Sequence, residues 1–210
     1  MTRVLLDALP DGDVIALDGS PSMITAARER VGEDRVEYHC QDLASLKLDR
    51  EVDYVFSNAT FHWIPDNAAL FASLYGVIRP GGALVAQCGG KGNVAEIHEA
   101  LRQICTEEPF SEYISGLAEP WNFAGPEETE IRLAGAGFIE PECWLEERVA
   151  IPEDPRGFMR ASFMAPQLEA LPEPLHEQYV DRFGEIAGNP DHFNYVRLNM
   201  NAGKAKESDV

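Results

Sequence analysis

The 210-residue sequence predicts an α/β fold built on a mostly parallel sheet. Three observations support this prediction. Short apolar segments of strand length alternate with helical segments of amphipathic spacing. Polar residues stand at the ends of the first strand segments, which is where open α/β sheets bind ligands. The composition, with 45% hydrophobic and 25% charged residues, is that of a globular domain. We therefore expect a single domain over residues 1–210.

The first half of the chain contains three strand-like segments. Val14 to Leu17 is an apolar run of the kind that is buried on both faces of a parallel sheet. Ser20 is placed to N-cap the following helix, which Gly32 ends. Residues 35–40 and 53–57 form the second and third strand segments. Strands that alternate with helices in this way indicate a parallel α/β sheet.

The middle of the chain continues the alternation. Asp66 is placed to cap a helix, and residues 79–82, Arg-Pro-Gly-Gly, indicate a turn before a fourth strand at 83–87. Further helices are predicted through Ile97 to Cys105 and over 126–136. These assignments complete the parallel part of the predicted sheet.

The last third of the chain departs from the alternating pattern. Residues 138–149 and 192–200 are strand-like, and Tyr195 to Met200 is predicted to be the one antiparallel strand. The stretch between them, about 152–188, is rich in Pro, Phe, Met and Glu and is predicted to be helical. We expect it to form a helical cap over the ligand-binding edge of the sheet.

Composition excludes several classes of partner. The formal net charge of −19 disfavours nucleic acid and anionic membrane surfaces, because both attract basic patches. Cysteine and histidine do not cluster at metal-ligand spacing, so no metal site is predicted. Widely spaced cysteines fit reduced thiols in a cytoplasmic protein; they are Cys40, Cys88, Cys105 and Cys143. The sequence does not indicate an oligomeric state.

Three polar residues at strand ends are candidates for ligand contacts. Asp18 ends the first strand, where a carboxylate can accept hydrogen bonds from ribose hydroxyls; alternatively it caps the next helix. Asp42 ends the second strand and can accept from an amino group, or it is an exposed loop residue. Asn58 ends the third strand and opens Ser57 to Trp63, which contains three aromatic rings suited to a small-molecule pocket. The alternative for this loop is a turn followed by buried aromatic residues.

These segments, taken in order, resemble the class I S-adenosylmethionine-dependent methyltransferases. VIALDGSPSMITAAR resembles the signature in which a strand ends in an acidic residue, RVEYHCQDL the adenine-contacting segment, and DYVFSNATFHWIPDNAALFASLYGVIRPGGALVAQ the strand, loop, helix and turn that follow. The segments resemble trans-aconitate methyltransferase-like proteins, and malonyl-carrier-protein methyltransferases are also similar. The resemblance implies a Rossmann-like sheet and S-adenosylmethionine as cofactor.

The resemblance also implies a role for each candidate residue. Asp18 would bind the ribose, Met23 would pack on the adenine, and Asp42 and Leu43 would frame its edge. Gly19 would also belong to the cofactor-binding site. Asn58 and Ala59 would line the methionine moiety, while His62 and Trp63 would face a small-molecule acceptor. Because the sulfonium is already activated, methyl transfer to a carboxylate needs mainly alignment. His62 would act as a base for a less acidic acceptor, or it would only shape the pocket.

One feature of the family pattern is absent from the sequence. The family carries an acidic-x-Gly-x-Gly-x-Gly loop, on a strand in the middle of the sheet, just before the helix that opens this chain. We therefore expect the first central strand to be missing, two strand edges to be unpaired and activity to be weak. The alternatives are a non-catalytic methyltransferase-like module and a nicotinamide dehydrogenase in which Asp18 binds the NAD ribose. Asp42, the SNATFHW loop and the RPGG turn do not fit the dehydrogenase pattern.

Overall fold

The computed structural model describes residues 1–117 and 121–207 and shows an α/β fold. The strands within these ranges are β1 Val14–Asp18, β2 Val36–Cys40, β3 Val52–Asn58, β4 Ile78–Gly89, β5 Ile139–Ala150 and β6 Phe193–Gly203. The helices within them are α1 Thr2–Ala8, α2 Pro21–Val31, α3 Asn67–Val77, α4 Ala95–Ile104, α5 Ser111–Ile114, α6 Pro126–Gly135, α7 Pro155–Phe163, α8 Ala165–Ala170 and α9 His176–Ile186. Short 3₁₀ helices follow β2 and β3, at Leu43–Ser45 and Phe61–Trp63.

The strands form two separate sheets. β1 and β2 pair in parallel, from Val14 opposite Val36 to Asp18 opposite Cys40. The other four strands pair in the order β3-β4-β6-β5. β3 is parallel to β4, whereas β6 is antiparallel to both of its neighbours. The predicted mostly parallel sheet with one antiparallel strand near the C-terminus is confirmed.

Each of the two sheets has an unpaired edge strand. Across residues 1–117 and 121–207, β1 pairs only with β2, and β3 pairs only with β4. The sheets nevertheless share one hydrophobic core, because Leu17 of β1 and Leu43 pack against the same cluster as Leu84 and Met200 of the larger sheet. The expected break between the first and third strand segments is therefore present, and packing rather than strand pairing connects its two sides.

The main core lies between one face of the four-stranded sheet and the helices α3 and α6. Leu70, Phe71 and Leu74 repeat at helical spacing on α3 and are at most 2% exposed. They meet alternate residues of β4, of which Leu84 is fully buried. The opposite face of the sheet is open: Tyr54 and Phe56 of β3 are exposed.

The turn predicted at residues 79–82 is wrong, because these residues belong to β4. Gly81 adopts a positive φ of 79°, and its N–H donates to the carbonyl of Lys204 at 3.0 Å. A side chain at Gly82 would collide with the Asp53 carbonyl, so the glycine allows β3 to approach β4 closely. The register between β3 and β4 shifts between Val52 and Tyr54. The Arg-Pro-Gly-Gly segment is thus a bulge in a continuous strand.

Residues 152–188 contain α7, α8 and α9, which we call the cap helices. They pack with α4 in a second hydrophobic cluster that includes the fully buried Ile104, Tyr179 and Phe183. Arg182 of α9 forms a bidentate ion pair with Glu107, with nitrogen–oxygen distances of 2.7 and 2.8 Å. In the described part of the chain, no helix is both long and apolar enough to cross a membrane.

Candidate active site

Asp18 closes the turn that leads from β1 into α2. Its Oδ1 accepts the N–H of Ser20 at 2.8 Å, and its carbonyl accepts the N–H of Gln41 at 3.1 Å. Ser20 caps α2 through its own side chain, which accepts from the N–H of Met23. Among the described residues, no other donor reaches the Asp18 carboxylate. The side chain therefore supports the turn with one oxygen and keeps the other available to a ligand.

Asp42 stands beside Asp18 at the same end of the two-stranded sheet. Its Oδ1 accepts the N–H of Ala44 at 3.0 Å and caps the short helix that contains the half-buried Leu43. Gly19 lies against this segment, since its carbonyl is 3.7 Å from the Cys40 thiol. Asp18, Gly19 and Asp42 are thus brought together, whereas Met23 is 58% exposed on α2.

Asn58 and Ala59 form the end of β3. Asn58 is opposite Gln87 of β4, and the N–H of Ala59 donates to the Gln87 carbonyl at 2.8 Å. Ala59 adopts a φ of 57°, a left-handed conformation that is uncommon for alanine. This turn directs the chain into the short helix Phe61–Trp63. Backbone strain of this kind is concentrated at functional sites.

His62 is held by a backbone donor from the neighbouring strand. Nδ1 of His62 accepts the N–H of Gly89 at 3.0 Å. Because Nδ1 is the acceptor, Nε2 must carry the hydrogen of the neutral ring. Burial, together with the positive charge of Arg197, lowers the pKa of His62 to about 4. At neutral pH the ring is therefore an uncharged hydrogen-bond donor at Nε2.

Five rings surround this end of the sheet, and we call them the aromatic group. His62 lies 5.4 Å from Trp63 and 5.6 Å from Phe123, measured between ring centroids. Trp121 stacks on Phe123 at 6.0 Å and lies 5.7 Å from Trp63. His98 of α4 contacts both Trp121 and Phe123, at 4.9 and 5.1 Å. The group forms an apolar wall with polar ring nitrogens.

His98, Trp121 and Phe123 were not among the site residues predicted from the sequence. They are distant in the chain from the Phe-His-Trp segment, and only the fold brings them there. Asn122 makes the connection: its N–H donates to the His62 carbonyl at 2.7 Å, and its side chain donates to the Pro65 carbonyl at 3.1 Å. The detectable signal was the dense Trp-Asn-Phe sequence outside any helical or strand pattern.

The predicted site residues form two groups that do not contact each other by hydrogen bonds. Asp18, Gly19 and Asp42 lie at the end of the two-stranded sheet, and Asn58, Ala59, His62 and Trp63 at the end of β3. Within residues 1–117 and 121–207, no hydrogen bond or ion pair joins the two groups. The first group lies on the two-stranded sheet and the second on the four-stranded sheet, and no described strand pairs with both sheets.

Other parts of the surface do not compete as sites. The described residues contain no group of three or more His, Cys, Asp or Glu side chains close enough to hold a metal ion. A cleft of about 550 Å³ lies between α7 and α9, but it shares no residue with the aromatic group. Its charged Arg156 is already paired with Glu177 and Asp181. The strand ends remain the candidate site.

The chain is similar in sequence to known methyltransferases. A family model described as "Methyltransferase domain" matches residues 1–86. Over 118 residues the chain is 34% identical to trans-aconitate 2-methyltransferase of Methylobacterium radiotolerans. This alignment covers 56% of this chain and 44% of that protein. Over 114 residues it is 34% identical to malonyl-[acyl-carrier protein] O-methyltransferase of Acetivibrio thermocellus, covering 52% and 40%.

A solved structure supports the fold in the same way. The YcgJ protein of Bacillus subtilis superposes with a TM-score of 0.62 at 11% identity, covering 97% of this chain and 88% of that one. The aligned regions amount to less than half the length of the two curated relatives. Residues 1–86 match a methyltransferase domain, and the fold and the ordered strand-end motifs are similar to those of class I S-adenosylmethionine-dependent methyltransferases.

Proposed function

We propose that the protein transfers a methyl group from S-adenosylmethionine to a carboxylate oxygen of a small-molecule acceptor. In this proposal Asp18, Gly19, Met23, Asp42 and Leu43 hold the nucleoside. Asn58 and Ala59 line the methionine moiety, and His62 and Trp63 face the acceptor. The two similar enzymes named above are an aconitate and a malonyl methyltransferase, and both substrates carry carboxylates.

The observation that carries the proposal is the hydrogen bond between Gly89 and His62. It leaves Nε2 of a neutral imidazole as a donor at the end of β3. A carboxylate has oxygen acceptors and needs no base, so a fixed donor suits its alignment. The same hydrogen bond disfavours His62 as a base. To accept a proton at Nε2, the neutral ring would have to carry its hydrogen on Nδ1, and that hydrogen would face the Gly89 N–H. Carboxylate methylation is therefore favoured over methylation of a hydroxyl.

The reaction would need no proton transfer at this site. The carboxylate oxygen supplies the electron pair for the new oxygen–carbon bond as the sulfur–carbon bond breaks. The sulfonium becomes a neutral thioether, and the carboxylate becomes a neutral ester. The protein's part is to orient the acceptor and exclude water, for which the aromatic group is suited.

The test combines binding and turnover. Calorimetry should detect S-adenosylhomocysteine binding to residues 1–210, and mass spectrometry should detect a methyl ester of trans-aconitate or of a malonyl thioester. Ester formation that requires both cofactor and acceptor supports the proposal. Cofactor binding together with methylation of amines or hydroxyls, but not of carboxylates, would contradict it.

A non-catalytic methyltransferase-like module is the second candidate. The unpaired edges of β1 and β3 favour it, because no described strand pairs with both and so connects the two groups of predicted site residues. It predicts that neither S-adenosylmethionine nor S-adenosylhomocysteine binds at millimolar concentration, although circular dichroism shows a folded chain. The same calorimetric titration therefore separates the two candidates.

A further inference from the structure

We propose that Arg197 of β6 binds the carboxylate of the acceptor, next to His62. The inference rests on the proposed function and adds a binding residue to it. It concerns the open face of the four-stranded sheet, where Arg197 lies close to the aromatic group. Strand register, the lack of an ion-pair partner for Arg197 among the described residues and the donor at His62 support it.

Strand register places Arg197 opposite the residue that holds His62. Arg197 is directly opposite Gly89, the residue whose N–H binds His62. Paired residues of neighbouring strands project to the same face of a sheet. A side chain at Gly89 would come within 2.5 Å of the Phe123 ring, so Phe123 occupies the space over Gly89 on that face. Arg197, Phe123 and His62 thus share one face at the end of β4.

Arg197 lacks the carboxylate partner that its position would suggest. Its cross-strand neighbour on β5 is Glu146. That carboxylate is already bound by Arg148 at 2.5 Å and accepts from Asn199 at 3.5 Å. Within residues 1–117 and 121–207, Arg197 forms no ion pair. A half-buried guanidinium without a counter-ion, in a chain of net charge −19, is a site for an external anion.

The guanidinium is also held in place. Its central carbon lies 4.2 Å from the centroid of the Tyr195 ring, two residues earlier on the same strand face. Stacking fixes the plane of the group and leaves its N–H edge available for a bidentate contact. The positive charge of Arg197 acts on neighbouring groups, since it contributes to the lowered pKa of His62. Arg197 is therefore both oriented and electrostatically active at this site.

Arg197 and His62 together match a carboxylate rather than an ester. The guanidinium supplies charge and two parallel donors, and Nε2 of His62 supplies a neutral donor. Methylation converts the acceptor carboxylate to an uncharged ester, which loses the attraction to Arg197. The same residue would thus favour substrate binding and product release.

The test measures carboxylate binding without requiring turnover. Trans-aconitate and its trimethyl ester are titrated into residues 1–210, with and without S-adenosylhomocysteine, while tryptophan fluorescence reports from Trp63 and Trp121. The variants are Arg197→Gln and Arg197→Lys. Arg156→Gln is the matched control, because it removes an arginine of α7 that is already paired with Glu177 and Asp181, away from Glu146 and Arg197. Thermal melts establish that each variant is folded.

We expect Arg197→Gln to weaken trans-aconitate binding about tenfold or more, in line with the loss of a charge-assisted hydrogen bond. Arg197→Lys should retain part of the affinity, and Arg156→Gln should remain within about twofold of the parent because this arginine is already paired with Glu177 and Asp181. The trimethyl ester should not distinguish the parent from Arg197→Gln.

Three results would overturn the inference. Unchanged trans-aconitate affinity in Arg197→Gln, with S-adenosylhomocysteine still bound by the parent chain, would remove Arg197 and leave the proposed function intact. Weakened S-adenosylhomocysteine affinity with unchanged trans-aconitate affinity would reassign Arg197 to the cofactor's own carboxylate. A parent chain that binds neither ligand would refute the proposed function and this inference with it.

Discussion

The N–H of Gly89 at the end of β4 donates to Nδ1 of His62 at 3.0 Å. This contact connects the last residue of one strand to the loop that follows its parallel neighbour. It fixes the tautomer of His62 and presents Nε2–H to the site. It also makes the histidine a measurable reporter of the state of the fold.

The first prediction concerns the pH dependence of stability. Burial lowers the pKa of folded His62 to about 4, whereas the unfolded chain takes up the proton near 6.5. The unfolded state therefore binds more protons as pH falls from 6.5 towards 4, and this contribution to stability, complete above 6.5, is lost on acidification. Urea unfolding at pH 7.5 and 4.5 measures the unfolding free energy that is lost on acidification. This loss should be larger in the parent than in His62→Asn by about 2 to 3 kcal/mol.

His62→Asn is the matched control because an amide oxygen can still accept from Gly89 but does not titrate. Equal acid losses in the parent and this variant would show that His62 is exposed to water. Its role as a neutral donor would then have to be abandoned.

The second prediction tests the close approach at Gly89. A methyl group there would lie 2.5 Å from the Phe123 ring and 2.9 Å from the Asn93 amide, so Gly89→Ala must displace the ring. We expect a loss of unfolding free energy of about 1 to 3 kcal/mol, typical of overpacking. Gly76→Ala is the control, since this exposed helical position has no atom within 4 Å of the added methyl and should be stabilised by about 0.5 to 1 kcal/mol. Urea titration of both variants gives the comparison, and a neutral Gly89→Ala would mean that Phe123 moves freely.

The third prediction separates the two roles of Asp18. Oδ1 accepts from Ser20, and an asparagine oxygen can do the same without the charge. Asp18→Asn should therefore preserve stability but weaken S-adenosylhomocysteine binding by about 1.5 to 3 kcal/mol, the range for hydrogen bonds to a charged group. Calorimetry and thermal melts measure the two quantities. If Asp18→Asn retains its affinity for S-adenosylhomocysteine and only Asp18→Ala destabilises the chain, the role of Asp18 is confined to stabilising the turn.

The fourth prediction concerns the acceptor side of the aromatic group. Trp63 is 49% exposed, so Trp63→Ala should spare the core while lowering acceptor turnover by at least about tenfold through lost alignment. Cofactor affinity should change little. The contrasting variant is Phe61→Ala, because Phe61 is 3% exposed and its loss should cost about 3 to 5 kcal/mol of stability. Equal losses of turnover and cofactor affinity in Trp63→Ala would assign it to the fold.

The fifth prediction concerns the unpaired edge of β3. Tyr54 is 70% exposed on this strand, and open apolar edges promote pairing with another chain. Residues 1–210 should self-associate in light scattering, and Tyr54→Lys should shift the population towards monomer. Ile131→Lys, at a 72% exposed position on α6, should have little effect because helices offer no free strand edge. A monomeric parent chain at the same concentration would refute this expectation.

Much of the fold was predictable because it is encoded locally. The apolar run before Asp18, the cap at Ser20 and the helical spacing of Leu70, Phe71 and Leu74 act over a few residues, so they can be found without a structure. The error at residues 79–82 has a tertiary cause. Arg-Pro-Gly-Gly has the composition of a turn, but the Lys204 carbonyl binds Gly81 and keeps the segment in β4 as a bulge.

The candidate site likewise has features that local sequence predicts and features that only the tertiary structure sets. Asp18, Asp42, Asn58 and His62 stand at strand ends, and the sequence by itself determined them as candidates because strand ends are local features. Only the tertiary structure decided that Gly89 binds His62, that Phe123 covers Gly89 and that Arg197 lies opposite it without a counter-ion among the described residues. These relationships join residues far apart in the chain, through strand register and loop packing that local patterns do not encode.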